Sequence, residues 1–169
     1  GYFTSFGSQT ADRRIKAAVL LGGGDPVQAA LAANMGLVGN WTLPVKTPVL
    51  FLSAEHDAFA GFTGRPYAAY ARVSGPKYEL MIKGGVHRWF TDFSGYGPNQ
   101  SNPDCAALGG GKGMLGCEAG IKLTTPAREQ EITRVAVIDF LGGYLSGSKA
   151  EIKNLRALPR AMPDITLRF

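Results

Sequence analysis

The sequence predicts an α/β fold, in which parallel strands alternate with helices. Residues 49–52 form a continuous apolar run after Pro48, and such a run is typical of a strand that is buried on both faces of a parallel sheet. Residues 78–82 form a second, less uniform run, and residues 65–73 between the two runs have a helical composition. The order strand, helix, strand predicts a right-handed crossover between two parallel strands.

Composition places the chain among ordinary globular domains. It has 169 residues, of which 45% are hydrophobic and 18% are charged, and this length is enough for one domain with a core. No apolar run approaches the length of a membrane-spanning helix. The net charge of +5 comes from basic residues that are scattered along the chain, whereas nucleic-acid binding needs a clustered basic patch. We therefore expect neither a membrane span nor a nucleic-acid partner.

A further strand and helix are predicted before the central unit. Residues 15–21, IKAAVLL, indicate another buried strand, and the glycines at 22–24 end it. The spacing of these glycines matches neither of the phosphate-binding patterns GxxxxGK(S/T) and GxGxxG. We therefore interpret them as a turn that lets a ligand approach the end of the strand. Asp25 and Pro26 are a good N-cap and a good first residue for a helix that follows.

The chain closes with a long helix and a basic tail. Thr125 and Pro126 predict the start of a helix from about residue 127 to 145. Residues 147–169 contain two prolines, and we predict that this tail packs back on the domain and ends in a short edge strand. The apolar face of the long helix is predicted to include Ile132, Val135, Ile138 and Leu141.

The two cysteines, Cys105 and Cys117, lie in one glycine-rich loop, NPDCAALGGGKGMLGC. Two thiols alone cannot complete a structural zinc site, and an inert cysteine is more common in a buried strand. We therefore favour a disulfide that closes the loop, which would indicate a periplasmic or secreted protein. Two reduced thiols in a cytosolic loop are the alternative.

Two polar residues follow the two strands of the central unit, at the edge where open α/β sheets place catalytic groups. Asp57 follows the first strand and His87 follows the second. Taken alone, an aspartate in a turn or a single histidine is more often structural, but their joint placement indicates an acid–base pair. Glu55 and His56 lie in the same loop and are the alternative candidates for the acid and the base. Because His56 directly precedes Asp57, its side chain should point away from that of Asp57.

Aromatic residues are frequent around this pair. They could line an apolar cleft for an acyl group or a polymer, and ordinary packing against the sheet edge is the alternative. We predict a substrate-binding role only for Trp89 and Phe59, which flank the pair in the sequence. The other candidates for the cleft are Phe90, Phe62 and Trp41.

Three segments and the closing helix resemble a known family. The segments are DRRIKAAVLLGGG, TPVLFLSAEHDAFA and YELMIKGGVHRWF. Together they resemble the carboxyl-terminal half of an α/β-hydrolase of the dienelactone hydrolase, cutinase-like and platelet-activating-factor acetylhydrolase-like kind. The resemblance covers residues 1–146 and implies parallel strands with helices on both faces. It also implies that Asp57 is the acid and His87 the base of a Ser-Asp-His triad.

The resemblance further implies a position for the nucleophile. No complete GxSxG motif occurs in the sequence, and the closest match, FTSFG, has Phe3 where the motif needs glycine. The family commonly runs SxGGY, and Gly1 and Tyr2 match the end of that signature. The serine is therefore expected just upstream of Gly1. An upstream segment or a partner chain would supply the serine, the oxyanion N–H groups and the first half of the sheet.

We therefore expect a serine hydrolase that cleaves a carboxylic ester of a lipid-like or polyester type. Its partners would be a small-molecule or polymeric ester and the amino-terminal half of the same hydrolase. Neither a metal nor another cofactor is implied. Hydrolysis of the C–C bond of a β-diketone by the same triad is one alternative, and a non-catalytic hydrolase-fold domain used for binding or assembly is the other.

Overall fold

The computed structural model describes residues 14–22, 46–59, 67–91, 101–109, 113–114 and 116–169. Within these ranges the strands are β1 (Ala18–Leu21), β2 (Val49–Ala54), β3 (Lys77–Ile82) and β4 (Ile165–Arg168). They form one four-stranded sheet in the order β1-β2-β3-β4. The first three strands are parallel and β4 is antiparallel to β3. The sheet is therefore mixed and mostly parallel, and the chain has the predicted α/β class.

Helices cover both faces of this sheet. The described helices are α1 (Tyr67–Arg72), α2 (Pro103–Ala107), α3 (Pro126–Leu145) and α4 (Lys149–Ala161), and a 3-10 helix spans His87–Phe90. On one face, Phe51 of β2 packs in a cluster with Ala69 of α1. On the other face, Leu52 packs in a larger cluster with Phe140 of α3 and Leu155 of α4. Because β2 is covered on both faces, all its residues are buried, which explains its continuous apolar run.

The buried face of α3 differs from the predicted face. Ala136 and Phe140 are buried, whereas Ile138 is 62% exposed, so its predicted place on the apolar face is wrong. At 100° per residue, position 138 lies about 200° from each of these two buried positions. The polar Glu129 shares the buried face. The other predicted members are buried or partly buried against the core: Ile132, Val135 and Leu141.

Residues 147–169 form α4 and β4, and both pack on the sheet. Ser148 caps α4, and Leu155 and Leu158 of this helix are buried. Ile165 of β4 is buried in the same cluster. By pairing with β3 on the side away from β2, β4 takes the edge position on that side of the part of the sheet that the structure describes.

Other sequence predictions fall outside the described residues. They are the helix after Pro26 and the cleft residues Phe62 and Trp41. In the described part of the chain, no helix is both long enough and apolar enough to cross a membrane.

Candidate active site

Asp57 and His87 are in contact at the carboxyl-terminal edge of the sheet. Asp57 lies in the turn after β2, and His87 begins the 3-10 helix after β3. Oδ2 of Asp57 is 3.0 Å from Nδ1 of His87. The contact follows from the topology, because β2 and β3 are adjacent parallel strands and end at the same edge.

The two side chains differ in their exposure to solvent. The Asp57 side chain is 7% exposed and that of His87 is 36% exposed. The hydrogen bond that the ring makes to the Asp57 carboxylate raises the pKa of His87 above its ordinary value, and partial burial of the ring opposes this increase. Since Nδ1 is bonded to Asp57, Nε2 is the nitrogen available to exchange a proton with another group. The buried carboxylate can thus fix the tautomer and orientation of a partly exposed imidazole.

Gly22 and Phe59 pack against the imidazole. Gly22 follows β1, and a Cβ at this position would lie 2.8 Å from Nδ1 of His87 and 3.0 Å from its Cε1. Its φ of +56° lies in the left-handed region, which glycine adopts at little cost. The ring of Phe59 has its centroid 4.8 Å from that of the imidazole. The end of β1 and the turn after β2 therefore both limit the positions open to the ring.

The structure separates the two aromatic residues that were predicted to bind substrate. Phe59 is partly exposed and lies beside His87. Trp89 is only 2% exposed, so it packs inside the fold as ordinary packing predicts, and its role in substrate binding stays a prediction. The 3-10 turn that begins at His87 places Trp89 and Phe90 on its buried side.

Glu55 and His56, the alternative candidates for the acid and the base, make other contacts. Oε2 of Glu55 accepts a hydrogen bond from the backbone N–H of Gly84 at 2.8 Å, which joins the turns after β2 and β3. Nε2 of His56 lies 3.9 Å from the same Glu55 carboxylate. Of the two histidines in the sequence, His87 is the one bonded to Asp57.

Two buried acidic side chains accept hydrogen bonds from three successive backbone N–H groups around His87. Oε2 of Glu129 accepts from Val86 at 3.0 Å. Oδ2 of Asp104 accepts from His87 at 2.9 Å, and Oδ1 of Asp104 accepts from Arg88 at 3.2 Å. These bonds satisfy donors at the start of the 3-10 helix, where no helical partner is available.

Burial is the largest influence on the pKa of both Glu129 and Asp104. It raises the pKa of Glu129 to about 8, and the bond from the N–H of Val86 opposes the increase. Burial also raises the pKa of Asp104 above its ordinary value, and the N–H groups of His87 and Arg88 oppose this. Neither residue was predicted from the sequence. The position of Glu129 three residues before Ile132, on the buried face of α3, was the available signal for one of them.

Cys105 and Cys117, for which a disulfide is predicted, are bonded with an S–S distance of 2.01 Å and a Cα–Cα distance of 5.8 Å. The disulfide attaches α2 to the segment that contains Gly116. Gly116 itself has a φ of +77°, and a Cβ there would lie 2.4 Å from the carbonyl oxygen of His56. The loop therefore packs directly against the turn that carries Asp57.

Within the described ranges, no group of three or more histidine, cysteine, aspartate or glutamate side chains is arranged to hold a metal ion. Comparisons with known protein families, with curated protein sequences and with solved structures found no match.

Proposed function

We propose that this chain carries the acid and the base of a serine hydrolase that cleaves carboxylic esters. The observation that supports the proposal is the 3.0 Å contact between Oδ2 of Asp57 and Nδ1 of His87 at the carboxyl-terminal edge of the sheet. A histidine that is oriented by a buried carboxylate is the arrangement that activates a hydroxyl nucleophile.

The proposed reaction assigns one role to each member of the pair. Nε2 of His87 accepts the proton of a serine hydroxyl as the serine oxygen attacks the ester carbonyl. The tetrahedral intermediate then collapses to an acyl-enzyme, and His87 returns the proton to the leaving alcohol. Water attacks the acyl-enzyme by the same route and releases the acid. Asp57 keeps the proton of the neutral ring on Nδ1 and stabilises the imidazolium that forms.

The serine and the oxyanion N–H groups are proposed to come from an upstream segment or from a partner chain. In the described part of the sheet, β1 occupies the end of the strand order. Gly22, which follows β1, is also the residue whose backbone approaches the His87 ring. A parallel strand added beside β1 would end at this same edge. The turn after such a strand would then lie near the imidazole, which is the place the nucleophile must occupy.

The proposed substrate is an ester with an apolar acyl or polymeric group. Phe59 supplies an apolar ring beside His87, and the resemblance to cutinase-like enzymes favours lipid-like or polyester substrates. The disulfide between Cys105 and Cys117 supports a secreted or periplasmic location, because such bonds persist in oxidising compartments.

The test is labelling by a fluorophosphonate probe together with hydrolysis of p-nitrophenyl esters of increasing acyl length by the intact protein. We expect labelling and ester turnover, both lost in His87→Ala and retained in the matched variant His56→Ala. Cleavage of a β-diketone without ester turnover would replace the proposal with C–C bond hydrolysis. Neither labelling nor turnover would favour a binding domain.

A further inference from the structure

Helix α2 contacts both loops of the candidate active site. The side chain of its N-cap residue, Asn102, bonds to the turn after β2, and Asp104 bonds to the loop after β3. The helix has five residues, and the disulfide from Cys105 joins it to a later part of the loop. Because so short a helix has little stability of its own, these contacts determine where α2 lies.

Asp104 holds the backbone from which the imidazole projects. The residue is 0% exposed, and its two carboxylate oxygens accept the N–H groups of His87 and Arg88 at 2.9 and 3.2 Å. Burying a carboxylate is costly unless it is hydrogen-bonded. The N–H groups of His87 and Arg88 oppose the effect of burial on the pKa of Asp104, and the two bonds fix the carboxylate and the His87 backbone relative to each other.

Asn102 holds the loop that carries the acid. Its Nδ2 donates to the carbonyl oxygen of His56 at 2.8 Å and to that of Gly116 at 2.9 Å. Its Oδ1 accepts the N–H of Asp104 at 2.9 Å. His56 is the residue directly before Asp57, so the amide connects the acid's turn to the helix that binds the base's backbone.

From these contacts we infer that Asn102 and Asp104 are positioning residues that set the distance between Asp57 and His87. The inference rests on the proposed function. Neither residue acts on the reacting atoms, and each acts through a backbone group next to or within the acid–base pair. A displacement of about 1 Å in such a site lowers turnover on the order of 100-fold, so these contacts are expected to affect kcat more than KM.

Asp104 also influences the charge state of the base. The pKa of His87 is raised mainly by its hydrogen bond with Asp57, and the nearby negative charge of Asp104 raises it further. Arg88 opposes the increase. Removing the charge of Asp104 should therefore lower the pH at which the ring titrates, an effect that a purely structural role would not produce.

The experiment compares Asp104→Asn with the wild type in the intact protein. The His87 ring is titrated by NMR, with its signal assigned by its loss in His87→Gln, and kcat and KM are measured for a p-nitrophenyl ester. For Asp104→Asn we expect a lower titration midpoint, a kcat that is about 10- to 100-fold lower and a KM within about 2-fold of the wild type. An unchanged midpoint with an unchanged kcat would overturn the inference.

Asp164→Asn is the matched control. Asp164 is a carboxylate bonded to Arg128 through two hydrogen bonds of 2.7 and 2.8 Å. Its substitution makes the same chemical change and weakens an ion pair that does not involve His87. We expect lower stability with an unchanged titration of His87 and an unchanged kcat. A shift of His87 as large as that in Asp104→Asn would show a general effect of destabilisation and would overturn the inference.

Asn102→Ser tests the second positioning residue and does not depend on the folding of Asp104→Asn. Serine is also a good N-cap, but its side chain is too short to reach the carbonyl groups of both His56 and Gly116. We expect kcat to fall at least several-fold with little change in KM, and a kcat equal to that of the wild type would contradict the role of Asn102. If the wild type cleaves no ester, the proposed function fails, and the NMR titration of Asp104→Asn still decides whether Asp104 acts on His87.

Discussion

Gly22 and His87 are in such close contact that a Cβ on Gly22 would lie 2.8 Å from Nδ1 of the imidazole. This atom is the one that bonds to Asp57. The contact therefore links the end of β1 to the hydrogen bond on which the proposed chemistry depends, and it explains why a residue without a side chain follows this strand.

Gly22→Ala is predicted to impair the acid–base pair. The added methyl group would displace the ring, and we expect kcat for ester hydrolysis to fall about 10- to 100-fold. The positive φ should also cost about 1–2 kcal/mol of stability, which thermal or denaturant unfolding would measure. Gly120→Ala is the matched control, because Gly120 has a φ of +80° and a Cβ added there would meet nothing within 4 Å. Equal losses of kcat in the two variants would contradict the role of Gly22.

The pH dependence of kcat/KM should follow the titration of His87. A general base must be neutral, so activity is lost as the pH falls through the pKa of His87. Because the hydrogen bond with Asp57 raises this pKa, we expect the midpoint of the acidic limb above the ordinary histidine value of about 6.5. Measuring the residual activity of Asp57→Asn should give a lower midpoint. A wild-type midpoint well below 6 would contradict the assignment.

Glu129→Gln should change the pH dependence of stability. Burial raises the pKa of Glu129 to about 8 from an ordinary 4.5, so between these pH values the folded state binds a proton that the unfolded state does not. The stability that this proton provides is fully present below about pH 4.5 and is lost as the pH rises through about 8. Glutamine does not titrate and can still accept the N–H of Val86. As the pH rises from 5 to 9, we expect the stability of the variant relative to the wild type to increase by on the order of a few kcal/mol.

Denaturant unfolding at pH 5, 7 and 9 measures this difference. Glu131→Gln is the control on the same helix, because the Glu131 side chain is 50% exposed and pairs with Arg128. Parallel pH profiles for Glu129→Gln and the wild type would show that Glu129 is ionised in the folded protein at neutral pH.

Removing the disulfide should loosen the loop more than the rest of the fold. The bond joins residues 12 apart, and a closed loop of this size contributes about 3 kcal/mol in the chain-entropy model. In Cys105→Ser/Cys117→Ser we expect faster amide hydrogen exchange in residues 101–109 than in the wild type, with β2 and β3 less affected. Because α2 holds the His87 backbone, kcat should also fall. An equal increase of exchange in the loop and the strands would contradict this account.

The sequence predicted the elements whose signals are local. The continuous apolar run of β2 and the turn residue Asp57 both depend on neighbouring residues, and the topology rule then placed His87 at the same edge of the sheet. The burial of Trp89 has no such local signal, because it depends on which side of the 3-10 turn faces the core. The exposure of Ile138 was also not predicted, because the buried face of the helix was inferred from hydrophobicity alone.

The structure of residues 147–169 and the positioning residues were harder to predict. The basic composition of this segment and its two prolines obscured α4, in which Pro159 lies near the end of the helix. The contact from Asn102 to His56 spans 46 residues, and that from Asp104 to His87 spans 17. Contacts of this kind arise only when the sheet has brought the two loops together, and no pattern in the loop itself reveals them.

The most direct measurement is ester turnover by the intact protein with Asp57→Asn, His87→Ala and His56→Ala compared under one set of conditions. Loss of the carboxylate that orients the base should lower kcat on the order of 10⁴-fold in Asp57→Asn. We predict a comparable or larger loss in His87→Ala and ordinary turnover in His56→Ala. Full activity in His87→Ala, or loss of activity in His56→Ala alone, would contradict the assignment of His87 and Asp57 as the acid–base pair.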